Sequence, residues 1–166
     1  MAGRNEKVVS LLQKAGKTVA LAESCTGGKL AATLTDVPGS SAVFECGIIC
    51  YSSRIKEELL GISPELIASY GVVSKEVAVA MAERVRQLGS SDYGIGITGV
   101  AGPGPDGAHP EGDIYLALTD GKEVTVKHLM TGTENKREEN RCTAVDAALQ
   151  LLLTEVEEWE KNPCRN

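Results

Sequence analysis

The segment 18–28, TVALAESCTGG, constrains the fold of this chain more than any other, because an apolar run leads through a turn of small residues into a helix. The run 19–22 is typical of a buried strand, and the two final glycines allow a sharp turn and a close approach to a ligand. Such a turn presents Ser24 beside the unpaired N–H groups of the next helix, where an anion is stabilised. Ser24 is therefore a candidate nucleophile; alternatively, Ser24 and Thr26 only cap an ordinary helix.

The remaining sequence alternates between strand and helix patterns. Beyond the strand at 19–22, apolar runs predict strands at 42–51, 93–98, 114–118 and 124–129, and helical periodicity or capping residues predict helices at about 8–16, 28–34, 53–60, 64–70, 75–88 and 136–159. The pair Asp120-Gly121 is a strong turn signal and predicts that the last two strands form a β-hairpin. We therefore predict an α/β fold, a three-layer α/β/α sandwich with a mixed, mostly parallel sheet, in one domain covering 1–166.

Composition and charge exclude several classes of function. The net charge is -6 and aromatic residues make up only 4%, so the chain has neither the cations that neutralise phosphates nor the rings that stack on bases. We expect no nucleic-acid partner. The first residues have no apolar secretory core, and no run approaches the roughly 20 apolar residues of a membrane span, so we expect no membrane association and a cytoplasmic location.

The five cysteines favour neither a disulfide framework nor a metal site. They are odd in number and form no paired CxxC motif; they stand at Cys25, Cys46, Cys50, Cys142 and Cys164. The separation of Cys46 and Cys50 is a weak signal for a metal, and packing as small apolar residues is the favoured alternative. We expect no metal and no cofactor.

Three predicted strands end in segments that carry reactive or small residues, namely 23–28, 51–56 and 98–104. If these strands are parallel neighbours, the three segments share one edge of the sheet, where open α/β sheets bind ligands. Lys56 would lie near the start of its helix, where the dipole and burial both lower its pKa, and could act as the base for a serine; alternatively it is a solvated surface lysine. Tyr51 could orient that base or bind substrate, or its ring could simply pack at the strand end.

Two further features could hold a phosphate or a ribose. The glycines of 98–104, TGVAGPG, can point successive backbone N–H groups toward a ligand, although a plain surface turn is an equal alternative. Arg137 and Arg141 are one helical turn apart and can bind a phosphate with forked hydrogen bonds. Pairing of these arginines with Glu138, Glu134 or Asp146 is the alternative.

Taken together, these motifs resemble the CinA C-terminal family, over about residues 6–155. The matching positions are 22–28, 45–47, 51–52, Lys56, 60–61, 71–74, 81–82 and 98–104, in that order along the chain. The resemblance implies a nicotinamide-nucleotide amidase, which hydrolyses nicotinamide mononucleotide to nicotinate mononucleotide and ammonia in pyridine-nucleotide salvage. It also implies a mixed α/β/α sheet, no metal, and a homodimer.

Carried over by position, the resemblance implies Ser24 as the nucleophile, Lys56 as its base and Tyr51 as a supporting residue. Backbone N–H groups between Thr26 and Gly28 would stabilise the oxyanion. With the residues discussed above, the predicted substrate-binding set is Thr26, Gly27, Gly28, Thr98, Gly99, Gly102, Arg137 and Arg141. A catalytically silent nucleotide- or partner-binding domain of the same fold is the alternative function.

The chain departs from the family pattern at three positions. His109 and Glu111 stand where the family more often has a basic residue and an apolar residue, and Asn140 replaces an aliphatic residue before Arg141. These differences bear on the choice of substrate and leave the predicted fold unchanged.

Overall fold

A computed structural model describes residues 3–132 and 136–161. In chain order the elements are α1 (Arg4–Ala15), β1 (Val19–Glu23), α2 (Lys29–Thr35), a 3-10 turn (Ser40–Ala42), β2 (Phe44–Ile49), α3 (Ser53–Glu58), α4 (Pro64–Tyr70), α5 (Lys75–Leu88), β3 (Tyr93–Gly99), β4 (Asp113–Thr119), β5 (Val124–Met130) and α6 (Arg137–Lys161). Every predicted helix and strand is present. The strand predicted at 42–51 is shorter at both ends and runs from Phe44 to Ile49, with Ala42 belonging to the 3-10 turn.

Within the described residues the strands form one five-stranded mixed sheet in the order β2-β1-β3-β4-β5. β1 pairs in parallel with both β2 and β3, so that Leu21 lies opposite Gly47 on one side and Ile95 on the other. The pairs β3–β4 and β4–β5 are antiparallel. The prediction of a mostly parallel sheet is therefore wrong: no helix crosses over between β3 and β4, and a parallel pair needs such a crossover.

Helices pack against both faces of this sheet, which explains why β1 is apolar from Val19 to Ala22. All five residues of β1 are buried. Val19 and Leu21 belong to a core shared with α1, α2 and α6, whereas Ala20 and Ala22 belong to a core shared with α5. A central strand covered on both faces has no polar side to its pattern, and burial of its apolar side chains stabilises the domain.

The glycines of β3 allow α5 to lie close to the sheet. A Cβ atom on Gly94 would come within 2.2 Å of the Ala82 carbonyl oxygen, and one on Gly96 equally close to that of Ala78. Real side chains do not tolerate such contacts, so only glycine permits this spacing between helix and strand. Close packing here fixes β3, whose carboxyl end forms part of the candidate site.

β4 and β5 form a hairpin at one edge of the sheet. The hairpin predicted at Asp120-Gly121 is confirmed, and the Asp120 carboxylate accepts hydrogen bonds from the N–H groups of Lys122 and Glu123 at 2.8 Å. None of the helices in residues 3–132 and 136–161 is long and apolar enough to cross a membrane.

Candidate active site

The three strand ends meet at one edge of the sheet, as their parallel pairing requires. They enclose a cavity of about 490 Å³. Its lining comprises Ser24 and Cys25 after β1, Tyr51 to Ser53 and Lys56 after β2, Val72 and Val73 before α5, the residues from Thr98 to Asp106 after β3, and Arg137 at the start of α6. The prediction that the segments 23–28, 51–56 and 98–104 share one pocket is confirmed.

Ser24 occupies the first position of the turn after β1. It is 8% exposed, and its N–H group donates to the Ile97 carbonyl oxygen at 3.0 Å, which ties the turn to β3. Gly27 and Gly28 both adopt the left-handed conformation, with φ of 60° and 89°, which residues with a Cβ atom rarely adopt. The turn thereby reverses the chain while Ser24 stays at the cavity wall.

The helix after this turn is capped by Glu23, and the prediction that Thr26 caps it is wrong. Glu23 is 1% exposed, and its carboxylate accepts hydrogen bonds from the N–H groups of Gly28 at 3.1 Å, Leu30 at 3.1 Å and Ala31 at 2.8 Å. A carboxylate at the positive end of the dipole satisfies these donors. The first turn of α2 is therefore already occupied by a protein anion.

This capping narrows the set of backbone donors available to a ligand. The N–H group of Gly27 donates to the Ser24 carbonyl oxygen at 3.0 Å, and that of Gly28 is held by Glu23. The N–H groups of Cys25 and Thr26 donate to no backbone carbonyl oxygen in the part of the chain that the structure describes. The Thr26 hydroxyl is likewise buried without a partner there. Of these two residues only Cys25 lines the cavity, whereas Thr26 is fully buried. Cys25, in place of Gly27 and Gly28, is therefore the candidate for binding an oxyanion.

Replacing Glu23 by alanine should lower the free energy of unfolding by about 3 kcal/mol, because one buried and two part-buried N–H groups lose a charged acceptor. Urea denaturation followed by circular dichroism measures the change. Glu6 is the matched control, since its exposed carboxylate accepts a hydrogen bond from the Gly3 N–H group at 2.8 Å at the start of α1. Glu6→Ala should cost much less; equal losses would contradict the role assigned to Glu23.

Lys56 is buried beside Ser24, so the alternative of a solvated surface lysine is wrong. It is 1% exposed. Its Nζ donates to the Ser24 Oγ at 3.1 Å and to the carbonyl oxygens of Cys50 at 2.8 Å and Tyr51 at 3.4 Å. α3, which begins after its N-cap Ser52, carries Lys56 over the end of β2 and toward the turn.

The three acceptors around Lys56 suit a group that takes up and releases one proton. An ammonium has three N–H donors and no acceptor. The neutral amine keeps two N–H groups for the carbonyl oxygens of Cys50 and Tyr51, and its lone pair then faces the Ser24 hydroxyl. The two carbonyl oxygens thus fix the orientation of the amine toward Ser24 in both protonation states.

Burial lowers the pKa of Lys56 from its ordinary value of 10.5, and the thiols of Cys50 and Cys25 oppose that change. The direction agrees with the prediction, and its cause is desolvation of the ammonium. The helix dipole, the other predicted cause, is not among the contributions, and Lys56 lies in the last turn of α3. Burial also raises the pKa of the Cys25 thiol to about 11. Cys25 is thus held protonated next to Ser24, and Lys56 is the group whose charge is poised to change.

The lowered pKa of Lys56 predicts a pH-dependent stability. Between the lowered pKa of the folded protein and 10.5, the unfolded chain binds more protons at this lysine than the folded chain does, so its contribution to stability rises with pH. As pH rises from 7 to about 10, the unfolding free energy of the wild type should increase relative to that of Lys56→Met. Urea denaturation at several pH values measures it, and a difference independent of pH would contradict the burial of the ammonium.

Tyr51 and Arg137 meet at the mouth of the cavity. The Tyr51 ring is 59% exposed, unlike the packed ring of the alternative interpretation, and its hydroxyl accepts a hydrogen bond from Arg137 Nη2 at 2.9 Å. Arg137 also donates to the Gly102 carbonyl oxygen through Nη1. These contacts link the ends of β2 and β3 to α6 and place a guanidinium at the cavity wall.

Arg141 does not join Arg137 at the cavity. Its Nη2 donates to the Thr26 carbonyl oxygen at 2.7 Å, and its Nη1 pairs with Glu138 at 3.0 Å. The pairing with Glu138 is one of the alternatives predicted from the sequence; Asp146 pairs with Arg4 instead, and Glu134 lies outside the described residues. In the structure Arg141 braces the turn that carries Ser24.

The segment after β3 forms one wall of the cavity. The row of free N–H groups expected of a cradle is not complete, because those of Val100 and Gly104 donate to the Asp113 carbonyl oxygen and the Glu111 carboxylate. Gly99 and Gly102 line the cavity with their backbone. Thr98 is 1% exposed, and its hydroxyl donates to the Val72 carbonyl oxygen at 2.7 Å, which fixes the loop before α5. Thr98 therefore contributes to the wall, and its hydroxyl proton is already engaged.

Sequence reasoning missed Glu23, Val72, Val73 and Asp106 as parts of this site. Only Glu23 had a usable signal: a carboxylate at the end of a buried strand, directly before a helix, is placed to bind that helix's free N–H groups. Among the described residues, no group of three or more His, Cys, Asp or Glu side chains is arranged to hold a metal. Cys25, Cys46, Cys50 and Cys142 are free thiols, and Cys164 lies outside the described residues.

The sequence of this chain is similar to one known protein family and to several of its members. Residues 2–156 match the CinA C-terminal domain. A putative competence-damage inducible protein from Thermoanaerobacter sp. (strain X514) is 44% identical over 151 residues, which cover 89% of this chain and 37% of that protein. A CinA-like protein from Acidobacterium capsulatum is 47% identical over 147 residues, covering 87% of this chain and 35% of that protein. The chain thus spans little more than a third of the length of these relatives.

Solved structures share the fold over nearly the whole chain. A competence-damaged protein (CinA) superfamily protein from Klebsiella pneumoniae has a TM-score of 0.89 and 28% identity, covering 94% of this chain and 97% of its own. The competence/damage inducible protein from Agrobacterium tumefaciens has a TM-score of 0.86 and 32% identity, covering 93% of this chain and 96% of its own.

Proposed function

The chain belongs to the CinA C-terminal domain family, and from this premise and the geometry of the cavity we propose that it is a nicotinamide-nucleotide amidase. It would hydrolyse the carboxamide of nicotinamide mononucleotide to nicotinate mononucleotide and ammonia, with Ser24 as the nucleophile and Lys56 as its general base. One observation carries the proposal: a buried lysine Nζ lies 3.1 Å from a serine Oγ at the wall of the cavity. A serine with a neighbouring base is the arrangement of an activated nucleophile.

In the acylation half of the reaction, the Ser24 Oγ forms a bond to the carboxamide carbon while Lys56 Nζ takes the hydroxyl proton. The electron pair of the carbonyl moves onto oxygen, where the N–H group of Cys25 at the cavity wall stabilises the negative charge. The carbon–nitrogen bond then breaks, and the Lys56 ammonium returns its proton to the leaving nitrogen, which departs as ammonia. A nicotinoyl ester of Ser24 remains.

In the deacylation half, a water molecule takes the place that ammonia has left. Lys56, neutral again, removes a proton from this water as its oxygen bonds to the ester carbon. The second tetrahedral species collapses, the bond to Ser24 Oγ breaks, and Lys56 protonates the serine oxygen. The lowered pKa of Lys56 suits this cycle, because a base whose pKa lies nearer to neutrality spends more time unprotonated.

The cavity fits a mononucleotide in size and charge. Its volume of about 490 Å³ lies in the range of small-molecule sites. Arg137 provides a planar guanidinium at the wall, which can bind a phosphate monoester through two parallel hydrogen bonds. We assign the phosphate to Arg137 and the carboxamide to Ser24. Arg141 would act on the substrate through its bond to the Thr26 carbonyl oxygen.

The proposal is tested by incubating the purified protein with nicotinamide mononucleotide and measuring ammonia together with nicotinate mononucleotide. The amidase releases the two products in equal amounts. Binding of the mononucleotide in calorimetry without any ammonia release would instead identify the silent binding domain of the same fold. Neither binding nor release by the folded protein would overturn the proposed substrate.

The homodimer implied by the family resemblance is a second part of the proposal. Size-exclusion chromatography with light scattering tests it directly. A mass equal to one chain at micromolar concentration would overturn it, and the amidase proposal would still stand, because every group assigned above comes from one chain.

A further inference from the structure

The segment 100–112, which we term the wall loop, forms much of one side of the cavity without helix or strand structure of its own. Its two ends are joined, because the Val100 N–H group donates to the Asp113 carbonyl oxygen and the Gly112 N–H group to the Val100 carbonyl oxygen, both at 2.8 Å. The middle of the loop lines the cavity, and its position depends on side chains.

A buried carboxylate holds the middle of the wall loop. Glu111 is 9% exposed, and its Oε2 accepts a hydrogen bond from the Gly104 N–H group at 2.9 Å. Its Oε1 accepts from Asn140 Nδ2 at 3.2 Å. Glu111 therefore connects the cavity-lining part of the loop to α6.

Asn140 completes this connection from the first turn of α6. It is fully buried, and its Nδ2 also donates to the Ala101 carbonyl oxygen at 3.0 Å. Its Oδ1 accepts from the Thr131 hydroxyl at 2.5 Å. Three positions before it, Arg137 donates to the Gly102 carbonyl oxygen, and residues at this spacing share one face of a helix.

We propose that Glu111 and Asn140 are a matched pair of positioning residues that sets the wall loop and, with it, the subsite beside Arg137 for the phosphate end of the substrate. The inference rests on the proposed function for the identity of the ligand. The two residues contact each other, and both lie outside the cavity lining. Their hydrogen bonds fall on Ala101 and Gly104, on either side of the Gly102 carbonyl oxygen that Arg137 binds.

The pair can be tested by exchanging which of its two residues donates the hydrogen bond, with side chains of nearly unchanged shape. Asn140→Asp places a second carboxylate against Glu111, and the repulsion should raise KM for nicotinamide mononucleotide about tenfold or more with little change in kcat. Adding Glu111→Gln restores a hydrogen bond in the opposite direction, from the Gln amide to the Asp carboxylate. It also leaves an oxygen for the Gly104 N–H group. The Ala101 carbonyl oxygen loses its donor in both variants, so the double variant should recover part of the lost KM.

Hydrogen exchange separates this inference from the proposed function, because it needs no turnover. The Gly104 amide should exchange faster in Asn140→Asp than in the wild type and return toward the wild-type rate in the double variant. Thr119→Val is the control: it removes a buried hydroxyl that bonds Glu123 and Gly121 in the distant hairpin, and should leave KM and Gly104 exchange unchanged.

Each outcome decides one of the two claims. If the wild type releases no ammonia, the amidase proposal fails, and Gly104 exchange still decides the positioning role. If the wild type is active but Asn140→Asp keeps the wild-type KM and Gly104 exchange, the positioning role is wrong. The same holds if the double variant is as impaired as Asn140→Asp, since the two residues would then not act as a pair.

Discussion

Ser24→Ala should lower ammonia release from nicotinamide mononucleotide by about ten-thousand-fold or more, the scale on which hydrolases lose activity with their nucleophile. The reason is that no covalent intermediate can form without the Oγ atom. The Ser24 hydroxyl bonds only to Lys56 among the described residues, so the variant should fold normally. Ammonia release and circular dichroism measure the two effects.

Ser10→Ala, on the exposed face of α1, is the matched control and should keep wild-type turnover. The remaining binding site of Ser24→Ala offers a second check: the variant should still bind the mononucleotide in calorimetry, because Arg137 and the wall loop are intact. Near-normal turnover by Ser24→Ala would contradict the covalent mechanism, whatever the variant binds.

Lys56→Met should lower kcat by about a thousand-fold or more, because the serine then loses its base and the leaving nitrogen its acid. Lys56→Arg should not restore activity, since a guanidinium stays protonated and cannot accept the serine proton. The rate of the wild type should rise with pH along a limb that lies below the ordinary lysine value of 10.5, as burial of the ammonium requires.

Lys127→Met, on the exposed strand β5, controls for the loss of a lysine and should leave both kcat and its pH profile unchanged. An active Lys56→Arg variant would show that Lys56 supplies only positive charge. That result would rule out Lys56 as the general base, and another group would then have to accept the proton of Ser24.

Local signals in the sequence located most elements of the fold. The apolar run before Ser24 and the Asp120-Gly121 turn each depend on residues within a few positions, and the structure has the strand and the hairpin that they predict. The antiparallel pairing of β3 with β4 was not predicted, although the Gly- and Pro-rich segment between them has no helical pattern and a parallel pair needs a crossover helix.

The contacts within the site were less accessible to sequence reasoning. Ser24 and Lys56 are 32 residues apart, and their distance is set by the order of β1 and β2 in the sheet. Burial of Lys56 follows from the same packing. It could not be read from the sequence, because the neighbours Arg54 and Glu57 are typical of a surface helix. Glu23 was overlooked because its side chain was assigned no role once Thr26 was taken as the cap.

The covalent step from Ser24 is the central claim, and hydroxylamine trapping tests it most directly. A nicotinoyl ester partitions between water and hydroxylamine, so the wild type should form the hydroxamate of the mononucleotide at the expense of nicotinate mononucleotide while ammonia release continues. Ser24→Ala should form neither product. Ammonia release by the wild type with nicotinate mononucleotide as the sole product, at hydroxylamine concentrations that leave the enzyme active, would contradict the acyl-enzyme.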